Sequence, residues 1–338
     1  MSLNKNSWYG QAIMAAIHSA IWWTFWNVFV VMNSSDTDEW NYQHLQDLFT
    51  PDNDGRVRFY TSLSDAYDAT ESNNNDIIIL DSNSTHSLEE MLTVSNNRVH
   101  FIWLDYLLWI KRKYGQRTKI SLWVTTTATD IGTIKVTWVW CTFRGIKFIN
   151  ENTVAQWIYC FVDGWEYTYL ENCEIYKSTD LDVTWAAELV ANWDSSYYKD
   201  CYIGSTANAI SWAIIRPCVI VTGWLAWTGK KLRDVTFEWC IFARKAGNVA
   251  NRFVYWANAT DVERFLLFTN CKFISNPLWA ATPAVGVDFG AAQTQWWVLI
   301  DQTCSSMDIT VLWATWEWIY LLSPDSPTYA TSWIAVSS

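Results

Sequence analysis

The chain has 338 residues, 51% of them apolar, and a formal net charge of -11. That is enough apolar material for a sizeable core, in one elongated domain or two compact ones. The acidity excludes wrapping of nucleic acid, which needs clustered Lys and Arg, and the one basic knot, Lys111-Arg112-Lys113 with Arg117 and Lys119 nearby, reads as a solvated turn.

Residues 1–27 read as a helix-prone anchoring arm. Within 12–32 lies an apolar run of transmembrane length, but His18, Ser19, Thr24 and Asn27 interrupt it, and no membrane span is predicted. A strand follows at Asn27–Met32, then a helix-like stretch at Trp40–Phe49. Thr50-Pro51-Asp52-Asn53-Asp54-Gly55 is a strong turn signal. Arg56–Tyr60 alternates as a strand does. Ser62–Glu71 carries Leu63, Ala66, Tyr67 and Thr70 at helical spacing, with Ser62 or Ser64 as cap. Asn73–Asp76 ends that helix, and Asp76–Leu80 reads as a buried strand. Residues 28–118 are thus expected to be an α/β cap leading into the first coils, 119–322 a parallel β-helix and 323–338 a tail.

The β-helix expectation comes from the cysteines. Of eight, seven recur in similar frames: Trp-Cys141-Thr-Phe, Asn-Cys173-Glu-Ile, Asp-Cys201-Tyr-Ile, Pro-Cys218-Val-Ile, Trp-Cys240-Ile-Phe, Asn-Cys271-Lys-Phe and the weaker Thr-Cys304-Ser-Ser. In six, a large apolar residue stands two positions on, which in a strand is the same face. Successive intervals are 32, 28, 17, 22, 31 and 33 residues, the period of a solenoid. The reading is one interior column of small buried thiols, with Phe143, Phe148, Ile175, Ile203, Ile220, Phe242 and Phe273 as parallel stacks. The interval of 17 marks either a Cys218 on another face or a slip of register. No CxxC pair occurs, and His18, His44, His86 and His100 all lie in the first 100 residues. No metal site and no cofactor are expected.

Tryptophan is anomalous: 26 residues against 12 glycines. It stands in turn-like contexts, as in Asn192-Trp193-Asp194-Ser195 and Asp163-Gly164-Trp165. Aromatic-rich strands are one explanation. The sharper one is that many of these positions are glycine in the source organism, through a UGA codon read there as glycine.

With those frames in view, the chain resembles phage proteins of the pectin-lyase-like, right-handed parallel β-helix type. The residues that carry this are Val28–Val31, Leu48–Tyr60, Ser62–Ala66 and Asp76–Leu80 for a cap, and Cys141–Asn150 with Leu170–Ile175 for the rungs. The resemblance implies a non-enzymatic virion component, either a capsid decoration protein or a tail fibre or spike segment. Its partners would be other virion proteins, sister subunits in a homotrimer and host surface glycan, and its location the phage particle.

Two other functions stay open. A glycan depolymerase would be either a polysaccharide lyase or a glycoside hydrolase; hydrolysis needs two carboxylates about 5–9.5 Å apart, and Asp163 with Glu166 or Asp180 with Asp182 are the candidates. A non-catalytic carbohydrate-binding module needs exposed rings, and Tyr167, Tyr169, Tyr197 and Tyr198 are the candidates.

Overall fold

A computed structural model describes residues 27–32, 57–81, 84–104, 117–122, 132–151, 159–177, 186–192, 194–210, 216–221, 232–256, 262–276, 282–288, 298–313 and 319–322. The chain is a right-handed parallel β-helix. Among the described residues, three sheets, A, B and C, have eleven, eight and eight strands, and every strand pairing in them is parallel. From Asp76–Leu80 onward, each described turn visits the sheets in the order A, B, C. Tyr169–Glu171, Glu174–Lys177 and Ala187–Ala191 are one such turn. Eleven strands make ten spacings, so sheet A extends about 48 Å along the axis.

The first full turn of the solenoid lies within residues 76–94. Asp76–Leu80, Thr85–Leu88 and Leu92–Val94 already form a full turn, and sheet B runs through Lys119–Leu122 without a break. Val28–Val31 and Val57–Tyr60 extend sheet A at its N-terminal edge, with Val28–Val31 between Val57–Tyr60 and Asp76–Leu80. The helix is Leu63–Asp68. The Ser62 hydroxyl accepts from the Asp65 amide at 3.3 Å, and Leu63, Ala66 and Tyr67 turn into the core. The expected arm (residues 1–26), the helix-like stretch 40–49 and the tail 323–338 lie outside the described residues. Among the described residues, no helix is long and apolar enough to cross a membrane.

The core is a set of one-residue-per-turn columns, because parallel registry puts like positions above one another. In sheet A the inward column runs Phe101, Phe143, Leu170, Tyr198, Phe237 and Phe268. Its rings stack nearly parallel, Phe101 on Phe143 at 4.8 Å and Phe237 on Phe268 at 5.2 Å. In sheet B the column is Phe148, Ile175, Ile203, Phe242 and Phe273.

Register also divides the seven cysteines. Cys173, Cys201, Cys240, Cys271 and Cys304 share one column at the A-to-B corner, where the amide just after each of the last four bonds the cysteine carbonyl one turn below. Each thiol donates to the carbonyl of the inward sheet-A residue of the turn below: Phe143 (3.4 Å), Leu170 (3.6 Å), Tyr198 (3.3 Å), Phe237 (3.3 Å) and Phe268 (3.5 Å). Cys141 and Cys218 do not belong to it. Thr142 pairs with Tyr169, so Cys141 aligns with Thr168 at the C-to-A corner, and Ile146 takes the place below Cys173. Val219 pairs with Leu189, so Cys218 aligns with Glu188 at the B-to-C corner. The residues two positions on shift with them: Phe143 lies in the sheet-A column, and Ile220 packs in the outer cluster with Tyr159, Val162 and Val190. All eight cysteines are buried and free.

Candidate functional site

On the outer face of sheet A a groove of about 290 Å³ crosses five successive turns. Two columns line it. One is a column of turn residues in the left-handed region, Asn75, Arg98, Trp140, Tyr167 and Ser195, with φ between 54° and 64°. The other is the outward column of sheet A, His100, Thr142, Tyr169 and Tyr197. Four turn spacings make the groove about 19 Å long, parallel to the rod axis.

Its walls are aromatic. Trp140 and Tyr167 stack at 4.4 Å with rings 6° apart, and Tyr169 and Tyr197 at 5.7 Å and 10°. The Arg144 guanidinium lies over the Tyr169 ring at 5.5 Å and pairs with Glu171 at 3.2 Å. The Tyr197 hydroxyl donates to Glu238. These contacts hold both rings, and both line the groove. No carboxylate is among the residues that line the groove.

His100 lies at the N-terminal part of the groove and is only 8% exposed, with its Nε2 buried and without a hydrogen-bond partner. Burial, then the Arg144 and Arg98 charges, hold the ring down to about 4, so it is neutral at ordinary pH.

The candidates from sequence fall apart in space. Tyr167, Tyr169 and Tyr197 come together in the groove. Tyr198 does not: it is wholly buried in the inward sheet-A column, because alternation sends neighbours 197 and 198 to opposite faces. Asp163 is buried too and cannot face Glu166 across a surface cleft. It accepts from Tyr198 at 2.5 Å and from Thr168 at 2.7 Å, and burial raises its carboxyl above the ordinary range. It is an interior polar anchor. Asp180 and Asp182 lie outside the described residues. Among the described residues, no cluster of three or more His, Cys, Asp or Glu is arranged to hold a metal ion. Arg98 and His100 were not among the candidates from sequence. They become neighbours of the tyrosines only through the pairing of His100 with Thr142 and Thr142 with Tyr169.

No protein-family model matches the chain, and no curated protein matches it. Solved structures do. A pectin methylesterase in complex with a hexasaccharide is 12% identical, with a TM-score of 0.47 over 84% of this chain and 81% of that one. Pectin methylesterase PemA from Erwinia chrysanthemi is 11% identical, with a TM-score of 0.42 over the same shares. At these values neither says anything about the groove, and the fold rests on the strand register.

Proposed function

We propose that this β-helix is a non-enzymatic saccharide-binding rod whose ligand lies along the sheet-A groove. The observation that carries this is the groove itself: Tyr169 and Tyr197, stacked on consecutive turns with Tyr167 beside them, line the C-terminal part of a trough about 19 Å long that has no carboxylate among its lining residues. Sugar rings offer apolar C–H faces to such surfaces and hydroxyls to the polar groups between them. Of the two acid pairs that could serve hydrolysis, Asp163 with Glu166 is unavailable because Asp163 is buried. A glycan array followed by titration tests the reading. Tyr169→Ala and Tyr197→Ala should each weaken binding about three- to tenfold, with no release of reducing ends. Reducing ends released at catalytic rates, or no bound glycan at all, would reject it.

For the setting, we propose a phage virion, as a capsid decoration protein or a tail fibre or spike segment. A rod whose ladders satisfy its backbone groups suits exposure on a particle. A gene neighbourhood with neither capsid nor tail genes would remove this setting.

We also infer that Trp140 and Trp239 stand where the native protein has glycine. Trp239 occupies the left-handed column at the A-to-B turn, whose other members are Gly145, Asn172, Asp200 and Asn270, the types that tolerate that conformation. The groove reading does not need the Trp140 ring. An intact mass of native material at the 39.3 kDa of the sequence would reject the substitution.

A further inference from the structure

The groove is polar along its length. Rings of Tyr167, Tyr169 and Tyr197 occupy its C-terminal turns, while Asn75, Arg98 and His100 occupy its N-terminal ones. Two features of the second end are not explained by the fold. The His100 Nε2 is taken from water and left without a partner, although an unmet buried polar atom costs about 1–3 kcal/mol. Arg98 has no ion-pair partner among the described residues, whereas its neighbour Arg144 is committed to Glu171. The chain holds 34 acidic residues against 23 basic ones, yet among the described residues no acid lines this trough.

We infer that the groove takes a saccharide bearing an anionic group, and that this group seats on Arg98 and His100, fixing the direction in which the chain lies on the rod. The inference rests on the saccharide reading and deepens it. An anion placed between the Arg98 guanidinium and the His100 Nε2 gives charge-assisted bonds to both. It also changes the proton balance. His100 is neutral in the free groove because it is buried and because Arg98 and Arg144 face it; the carboxylates nearby, Glu171 and Glu238, are taken up by Arg144 and Tyr197. A negative group against Nε2 offsets the two cations, so the ring takes up a proton as the ligand binds. The shared chemistry is a single negative group, whether carboxylate or sulfate.

The experiment is calorimetric titration of the full chain with three tetrasaccharides of similar length: tetramannuronate, a sulfated carrageenan tetrasaccharide and neutral cellotetraose. At pH 6 and low salt, at least one anionic probe should bind about tenfold tighter than cellotetraose, and added salt should erode that advantage. Titration in two buffers of different ionisation enthalpy should show net proton uptake with the anionic probe alone, and His100→Gln should abolish the uptake. Arg98→Asn, chosen because asparagine accepts the left-handed backbone at this turn, should bring the anionic probe down to the cellotetraose level. Thermal unfolding of both variants separates loss of fold from loss of the seat. Equal binding of all three probes by the unaltered chain, or an unchanged preference in Arg98→Asn, overturns the inference and leaves the saccharide reading standing. No binding of any of the three probes also overturns the inference, and the glycan array then decides the saccharide reading.

Discussion

Trp239 holds a φ of 56°, a conformation that crowds a Cβ against the following carbonyl at about 1–2 kcal/mol, and its indole is 53% exposed, so little packing offsets that cost. The residue one turn lower in the same column is Asp200 and one turn higher is Asn270, both of which relieve the strain with a short polar side chain. Trp239→Gly is therefore expected to stabilise the isolated chain by about 1 kcal/mol in denaturant titration. Trp103, only 2% exposed in the core, should instead lose about 3–5 kcal/mol on truncation to Ala. A destabilising Trp239→Gly would argue that the tryptophan belongs there.

At the scale of the element, the unit is the column, and columns couple neighbours. Cys201 and Cys240 follow one another in the A-to-B corner column, and each thiol reaches the carbonyl of the turn below. Cys141 lies at a different corner. The double substitution Cys201→Ala/Cys240→Ala should deviate from the sum of its singles by about 0.5 kcal/mol or more, while Cys141→Ala/Cys240→Ala should add to within about 0.3–0.5 kcal/mol. Reversed values would contradict the register. This is also where the sequence stops being legible. Cys-x-apolar is written alike at Cys141, Cys173 and Cys218, since a buried thiol followed by a buried apolar side chain suits any corner of a narrow interior. Only the pairings Thr142 with Tyr169 and Val219 with Leu189 tell the corners apart. The strands Val28–Val31 and Asp76–Leu80 and the Ser62-capped helix were readable because their signals are local. The groove was half readable: Tyr167 and Tyr169 are adjacent in sequence, but Arg98 and His100 reach them across two turns whose lengths differ.

For the whole molecule, stacking confines a few ionisable groups where charge is costly, and these set how stability depends on pH. Lys177 is buried, donates to Asn150 at 3.2 Å and is held down to about 7, by burial first and Arg216 second. The unfolded chain keeps that proton up to about 10.5, so above pH 7 the unfolded state binds more protons and stability rises with pH. His100 acts in the same sense lower down, between about 4 and 6.5. The thiols of Cys141, Cys160 and Cys218 oppose them. Burial pushes each up to about 12 from an ordinary 9.0, so between those values the unfolded state gives up protons that the folded state keeps, and stability falls. Three falling groups outweigh one rising lysine above pH 9. The expected profile climbs by about 1–3 kcal/mol from pH 7 to 9, peaks near 9 and declines beyond it. Denaturant titrations at each pH measure it directly. Lys177→Met keeps the volume and removes the titration, so it should flatten the limb between pH 7 and 9 while leaving the decline above 9; a limb that survives the substitution would mean another group supplies it.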